Sequence, residues 1–173
     1  MIYRLPDIND KEILMAYVQE HHDHGESSIS ASLGLSSSDY QEWVDMIHRN
    51  ASIGQVPWGR SLLYLCFVGD RLVGLLSIRY ELPVELSESI GDIGYGVRPT
   101  ERRKGYATAM LGYALSVCRE HGMQQALVGC YKNNHASAAT IRKNGGVLIA
   151  ENDNFRKGQI SQYYQIELLE ASV

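Results

Sequence analysis

Basic residues and a glycine are concentrated in one short turn of the sequence, Arg102-Arg103-Lys104-Gly105. The turn follows a strand-like stretch in which Ile93, Tyr95 and Val97 alternate with small or polar residues and which Pro99 terminates. Directly after the turn, apolar residues recur at helical spacing. The first N–H groups of a helix have no intrahelical acceptor, and the helix dipole makes that end positive. The sequence therefore predicts an anion site, most naturally for a phosphate or pyrophosphate.

The alternative for this turn is a solvated loop with ordinary surface arginines. Two features favour a ligand. Gly105 would cost about 1 kcal/mol relative to alanine at the start of the helix, so the helix itself gains nothing from it. Gly94 and Gly96 thin the preceding strand, which suits the close approach of a ligand or a strand that bulges away from its neighbour.

The common nucleotide-binding motifs are absent. No G-x-x-x-x-G-K-[ST] occurs, and Gly94-Tyr95-Gly96 lacks the third glycine of G-x-G-x-x-G because Pro99 stands there. In contrast, Arg102-x-x-Gly105-x-Ala107 resembles the acetyl-coenzyme A signature Q/R-x-x-G-x-G/A of the GNAT N-acetyltransferase superfamily. A second segment, residues 134–145, resembles the N-x-x-A/S-x-x-x-Y-x-K-x-G motif of the same superfamily. The two motifs follow each other in the expected order of strand, helix, strand and helix.

The resemblance implies a fold. It is an α/β (α+β) fold with a mixed, mostly antiparallel, twisted sheet of about seven strands and helices on both faces. The fourth and fifth strands are expected to diverge, with the pantetheine arm between them, and residues 1–173 are expected to form a single domain. Capping-box patterns predict helix starts at Asn9 and Ser38, and residues 81–90 are expected to be a connection. The histidines at 21, 22 and 24 are expected at a solvated helix end, without a metal.

Acetyl-coenzyme A is the cosubstrate that the resemblance implies, and no metal is expected. The pyrophosphate would be bound by the N–H groups of residues 103–107 and by the basic side chains, and the pantetheine by the backbone of residues 95–97. The N–H of Val97 is the expected donor to the thioester oxygen. Asn134 and Ser137 predict a helix N-cap by themselves, and the resemblance also places them beside the pantetheine and the sulfur. The predicted cofactor-binding residues are Tyr95, Val97, Arg102, Arg103, Lys104, Gly105, Tyr106, Ala107, Asn134 and Ser137.

The acceptor amine must be neutral to attack the thioester, which costs a primary amine roughly 4–5 kcal/mol at neutral pH. A carboxylate base would relieve this cost. Glu81 is the predicted base, with Asp92 and Glu26 as alternatives.

The superfamily often uses a tyrosine as general acid for the leaving thiolate, and here that position is Ile141. Tyr131 is the predicted substitute, with Cys130 as an alternative. The thiolate would also be able to leave unassisted, because thiols titrate near 8.5. Gly146, where the superfamily often has phenylalanine, also indicates a divergent branch.

Composition restricts the partners. The formal net charge is −4, which argues against nucleic acid, and no apolar run is long enough for a membrane span. The three cysteines are widely spaced and predict reduced thiols in a cytoplasmic protein. The expected partner is an amine acceptor of small size, and a homodimer is left open.

The sequence thus predicts an N-acetyltransferase that moves the acetyl group of acetyl-coenzyme A to a primary amine, of a small molecule or of a peptide or protein, by direct attack in a ternary complex. The alternative is a non-catalytic module that senses or binds coenzyme A. A transferase of longer acyl chains is a third option.

Overall fold

Seven strands form two antiparallel sheets in the computed structural model, which describes residues 1–168. The first sheet has four strands in sequential order, and the second has three strands in the order β5-β7-β6. The strands are β1 (Ile2–Arg4), β2 (Leu62–Val68), β3 (Arg71–Ile78), β4 (Ile93–Val97), β5 (Gln125–Tyr131), β6 (Val147–Asn152) and β7 (Ser161–Glu167). The predicted fold class is confirmed, and the divergence of the fourth and fifth strands is complete enough to separate the sheets.

Helices cover both faces of this sheet system. They are α1 (Lys11–Asp23), α2 (Tyr40–Ser52), α3 (Val84–Ile90), α4 (Tyr106–Glu120) and α5 (His135–Lys143). One apolar core joins α1 and α2 to β2 and β3, with Trp43 and Leu75 fully buried in it. The other joins α4 and α5 to β3, β4 and β5, around Met110 and Ile141. We refer to the two faces as the α2 side and the α4 side.

Three local predictions were wrong. Residues 84–90 form a helix rather than a plain connection. Pro83, with φ −55° and ψ 144°, is the N-cap residue of this helix. The first capping box belongs to Asp7 and Asp10, which cap a short 3-10 turn before α1, and not to Asn9. The cap of α2 is Asp39, whose side chain accepts from the N–H of Glu42 at 3.1 Å.

The strands β4 and β5 are fastened at one end and apart at the other. The N–H of Asp92 donates to the carbonyl of Leu127 at 2.7 Å, and the N–H of Leu127 donates to the Asp92 carboxylate at 2.7 Å. Ser87 donates to the same carboxylate at 2.7 Å. Within residues 1–168, no further ladder pairs β4 with β5. A cleft therefore opens along the rest of β4.

Candidate active site

A cleft of about 1300 Å³ occupies the gap between β4 and β5. Its α4 side is lined by Tyr95, the start of α4 and residues of α5, and its α2 side by residues of α2, the following loop and the ends of β3 and β7. Because the cleft is lined from both faces of the sheet, a ligand on one side can meet a ligand on the other. The cleft passes the sheet where Gly94, Tyr95 and Gly96 lie.

The turn before α4 adopts a strained, open conformation. Arg103 has φ 62° and Gly105 has φ 85°, both in the left-handed region. The helix begins at Tyr106, and no side chain of the described residues caps it, so its first N–H groups are left without intrahelical or side-chain acceptors. Gly105 therefore precedes the helix rather than lying inside it as predicted. A Cβ there would meet nothing within 4 Å, so crowding is not the reason for the glycine. The left-handed backbone conformation is the reason, because only glycine adopts it without strain. Such successive N–H groups form an anion-binding concavity.

The basic side chains of this turn differ in their partners. Arg102 donates to both oxygens of Glu26, at 2.6 and 2.8 Å, and through Nε to the carbonyl of Val97 at 3.1 Å. Lys104 donates to Glu101 at 2.8 Å and does not line the cleft. Arg103 lines the cleft and has no carboxylate partner within residues 1–168. The predicted phosphate donors that remain unoccupied are thus mainly backbone N–H groups.

Glu26 joins the turn to α1. Its hydrogen bonds with Arg102, together with the hydrogen bond from His21, lower its pKa to about 2 despite partial burial. His21 is 2% exposed, and its Nδ1 lies 2.7 Å from Glu26. Burial lowers the pKa of His21, although Glu26 opposes that effect. The expectation of a solvated histidine was wrong here, because α1 continues to Asp23 and packs this ring inward.

The backbone of β4 presents unpaired groups to the cleft. The backbone N–H of Arg98 donates to the carbonyl of Val73 at 2.8 Å, and the backbone N–H of Arg79 donates to the carbonyl of Asp92 at 2.8 Å, which fixes the alternation of the β3–β4 ladder. In an antiparallel pair every second residue turns its N–H and C=O away from its partner strand. By this alternation Tyr95 and Val97 direct these groups away from β3. The predicted pantetheine and thioester contacts, which would use these groups, stay predictions.

A hydroxyl pair lies on the α4 side of the cleft. The Tyr95 hydroxyl is 2.8 Å from Oγ of Ser137. Burial raises the pKa of Tyr95 to about 12, although Ser137 opposes the shift. Burial also raises the pKa of the neighbouring Cys130. The side chain of Asn134 accepts from the N–H of Ser137 at 3.1 Å, which confirms the predicted N-cap and fixes Ser137 at the first turn of α5.

Ile141 does not reach the cleft. Its side chain is fully buried in the core between α5 and α4. A Cβ at Gly146 would lie 2.4 Å from Cγ2 of Ile141 and 2.9 Å from its carbonyl oxygen. Glycine at 146 is therefore matched to the isoleucine, and the two departures from the superfamily pattern form one packing unit.

The predicted catalytic residues occupy different places. Tyr131 is half-buried, lines the cleft at the end of β5, and has its ring centre 6.0 Å from that of Phe155. Glu81 does not line the cleft; its carboxylate accepts from the backbone N–H of Arg60 at 2.7 Å and from its Nε at 2.8 Å. Asp92 is 4% exposed and serves the strand junction. The base role of Glu81 stays a prediction that this placement does not favour.

Sequence reasoning missed Arg79. This residue follows the apolar strand β3 and lines the α2 side of the cleft beside Ser77. The available signal was a charged residue directly after a run of buried apolar positions, since such a charge needs a reason to be there. The flanking loops carry no motif that would have pointed to it.

No group of three or more His, Cys, Asp and Glu side chains within residues 1–168 could hold a metal ion. Among the same residues, no helix combines the length and apolarity that crossing a bilayer requires.

The uncapped helix start and the cleft through the sheet define an α/β protein that can bring a phosphate-bearing ligand to a second ligand. The model of the acetyltransferase (GNAT) family matches residues 32–146. The chain therefore belongs to the GNAT family, and it is an acetyl-coenzyme A-dependent acetyltransferase.

Solved structures agree with this fold. YncA from Salmonella typhimurium, a putative acetyltransferase with its cofactor acetyl-coenzyme A, is 15% identical with a TM-score of 0.69, over 99% of this chain and 96% of that one. RimL, a ribosomal L7/L12 alpha-N-protein acetyltransferase in complex with coenzyme A, is 18% identical with a TM-score of 0.70, over 96% and 93%. A ribosomal-protein-alanine N-acetyltransferase from Brucella melitensis is 16% identical with a TM-score of 0.68, over 97% and 100%. No curated protein matches the sequence.

Proposed function

We propose that the chain, acting as one domain, transfers the acetyl group of acetyl-coenzyme A to a primary amine by direct attack in a ternary complex. The observation that carries the proposal is the cleft itself, which is lined from both faces of the sheet at the parting of β4 and β5. A sensor of coenzyme A would need only the α4 side. Here the same cleft continues on the α2 side of the strand, where it is lined by polar side chains such as Asn50 and Arg79.

Acetyl-coenzyme A would be bound through its pyrophosphate and its pantetheine arm. The pyrophosphate would accept hydrogen bonds from the N–H groups of residues 103–107, with the Arg103 side chain beside them. The helix dipole contributes roughly 0.3–2 kcal/mol to such a site, so the amide hydrogen bonds must supply most of the affinity. The pantetheine amides would pair with the free edge of β4.

The chemical step needs a donor to the oxygen on which charge develops. The N–H of Val97 is directed to the cleft, and a fixed backbone donor costs no reorganisation when the tetrahedral intermediate forms. As the C–S bond breaks, the sulfur gains the electron pair. Ser137 lies beside this region with its Oγ 2.8 Å from the Tyr95 hydroxyl, so a proton can pass from Tyr95 through Ser137 to the sulfur. Tyr95 then recovers, through water in the cleft, the proton that the amine releases. The pair would supply the proton donor that isoleucine at position 141 cannot provide.

The amine must lose a proton before or during the attack. The carboxylates that line the cleft are Glu26 and Glu101, and both are engaged by basic side chains. We therefore propose that the amine binds in its neutral form, or loses its proton to water in the cleft. Tyr131 lines the cleft at the end of β5 and remains a candidate to assist the proton transfer from the amine or the one to the sulfur.

Thiol release separates transfer from sensing. Purified protein is mixed with acetyl-coenzyme A and a panel of primary amines, and free coenzyme A is followed with a thiol-reactive chromophore. Release that depends on both amine and protein supports transfer. Tight binding of acetyl-coenzyme A without release for any amine would favour the sensor. Succinyl-coenzyme A as donor tests the preference for longer chains.

Small acceptors, a homodimer and a cytoplasmic location remain predictions from the sequence. The amine panel addresses the first of them, because it includes short peptides beside small amines.

A further inference from the structure

Among residues 1–168, one guanidinium on the α2 side has no anionic partner in contact. Arg79 donates through Nε to the carbonyl of Gly91 at 3.2 Å and through Nη1 to Oγ of Ser77 at 3.1 Å. Both acceptors are neutral. No carboxylate lies within 4.0 Å of Arg79 among residues 1–168, and its Nη2 donates to no group in that part of the chain. A partly buried cation in this state is costly unless a ligand neutralises it.

The guanidinium is aimed at the middle of the cleft. Ser77 pairs with Gly94 across the β3–β4 ladder, and Arg79 lies two residues further on the same face. A Cβ at Gly94 would lie 3.8 and 3.9 Å from the two Nη atoms. The guanidinium therefore lies over the bare backbone of Gly94, on the opposite face from the Tyr95 side chain. It borders the place where the thioester would meet the acceptor.

The remaining charged groups of the cleft lining do not neutralise Arg79. The lining carboxylates, Glu26 and Glu101, both lie near the phosphate turn and bind cations there. The Asp92 carboxylate interacts electrostatically with the Arg79 guanidinium without contacting it. The oxygens of this carboxylate instead accept hydrogen bonds from the Ser87 hydroxyl and from the N–H of Leu127. The other polar groups that line the α2 side are uncharged: Asn50, Gln55, Ser61, Ser77, Ser89, Ser161 and Tyr163. This half of the cleft is thus positive.

We infer that Arg79 binds an anionic group of the acetyl acceptor, and that the preferred acceptor is an amine with a carboxylate one or two carbons from its nitrogen. The inference rests on the proposed function. A guanidinium presents a planar fork that matches a carboxylate with two parallel hydrogen bonds. Its charge also favours the neutral form of the nearby amine, which is the form that attacks.

Matched acceptors test the inference. Each set contains an amino acid, its amide and the corresponding amine without the carboxyl group, with small, aliphatic and aromatic side chains; glycine and β-alanine vary the spacing. Thiol release gives kcat and KM for each member. The wild type is expected to favour the carboxylate member by roughly 10- to 100-fold in kcat/KM, as for a hydrogen bond to a charged group.

Variants assign this preference to the guanidinium. Arg79→Gln is expected to remove the preference, mainly through a higher KM for the carboxylate member, and Arg79→Lys to retain part of it. Arg49→Gln is the matched control, because Arg49 is exposed near the end of α2 and does not line the cleft. It should keep the full preference.

Three results would overturn the inference. They are equal use of charged and uncharged acceptors by the wild type, an equal loss for all members in Arg79→Gln, and an unchanged preference in that variant.

If no amine releases thiol, calorimetry with the coenzyme A complex replaces turnover. Tighter binding of the carboxylate members that Arg79→Gln abolishes supports the role of Arg79 although the proposed activity has failed; equal binding refutes it. Coenzyme A binding by each variant reports that it is folded.

Discussion

The two sides of the cleft are built differently. On the α4 side, the contacts come from backbone N–H groups, fixed by an unusual turn at Arg103 and Gly105 and by the free edge of β4. On the α2 side they come from side chains such as Arg79 and Asn50, carried by several separate stretches of chain. A backbone site keeps one ligand through large changes of sequence, whereas a side-chain site changes its ligand with single substitutions. This difference fits one constant donor and a variable acceptor.

The largest expected effect comes from the turn. Gly105→Asp should weaken coenzyme A binding on the order of 100-fold or more, because a carboxylate would face the pyrophosphate where charge-assisted hydrogen bonds are each worth ~1.5–3 kcal/mol. Isothermal calorimetry measures it. Gly122→Asp is the control, since Gly122 ends the same helix with φ 78° and an equally open Cβ position. A folded Gly105→Asp variant that binds normally would show that the phosphates lie elsewhere.

The next effect tests the junction between the two sides. Ser137→Ala should lower kcat roughly 10- to 100-fold with little change in KM for acetyl-coenzyme A, because it interrupts proton delivery to the sulfur. Tyr95→Phe should do the same, and the double variant should be no worse than either single one, since the two hydroxyls act as a unit. Tyr131→Phe is measured beside them. If only Tyr131→Phe lowers kcat, the proton comes from Tyr131 at the end of β5.

A smaller effect concerns the connection between α1 and the phosphate turn. Burial would raise the pKa of Glu20, but hydrogen bonds from the N–H and hydroxyl of Thr100 and from Arg98 lower it to about 2. Arg98 itself is 6% exposed. Glu20→Gln should therefore destabilise the protein by roughly 1–3 kcal/mol at pH 7.

The pH dependence of this effect has a definite direction. A depressed carboxyl pKa stabilises the fold above its unfolded value near 4.5, and that contribution is lost as the pH falls toward 2. The difference between Glu20→Gln and the wild type should thus shrink between pH 4.5 and pH 2 in urea unfolding. Exposed Glu88→Gln is the control, and a pH-independent difference would contradict the assignment.

The smallest effect is expected for Glu81→Gln. Because Glu81 is exposed and bound to Arg60 outside the cleft, kcat/KM should change less than about 3-fold, as for other surface substitutions. A pH–rate profile accompanies the measurement. A loss of two orders of magnitude, together with loss of the acidic limb, would establish Glu81 as the base after all.

Much of the α4 side could be predicted because its signals are local. A strand, a turn with a left-handed glycine and a helix start lie within about fifteen residues, and the N-cap of Asn134 uses Ser137, three residues away. Even there, the sequence did not show that Arg102 and Lys104, predicted as phosphate ligands, form ion pairs with Glu26 and Glu101. Glu26 lies 76 residues before Arg102 in the sequence, so only the folded chain brings the two together. Glu101 lies three residues before Lys104, but its pairing with that lysine also depends on how the turn folds.

By itself, the sequence determined the order of the strands and of the helices other than α3, the glycine-containing basic turn before α4, and the family, since each follows from neighbouring residues. Only the tertiary structure decided that Ile141 is buried against Gly146, that Tyr95 meets Ser137, and that Arg79 lines the cleft with no carboxylate partner within residues 1–168. The physical reason is distance along the chain. Contacts between residues tens of positions apart depend on how the sheets part and how the helices pack, and no local pattern encodes those.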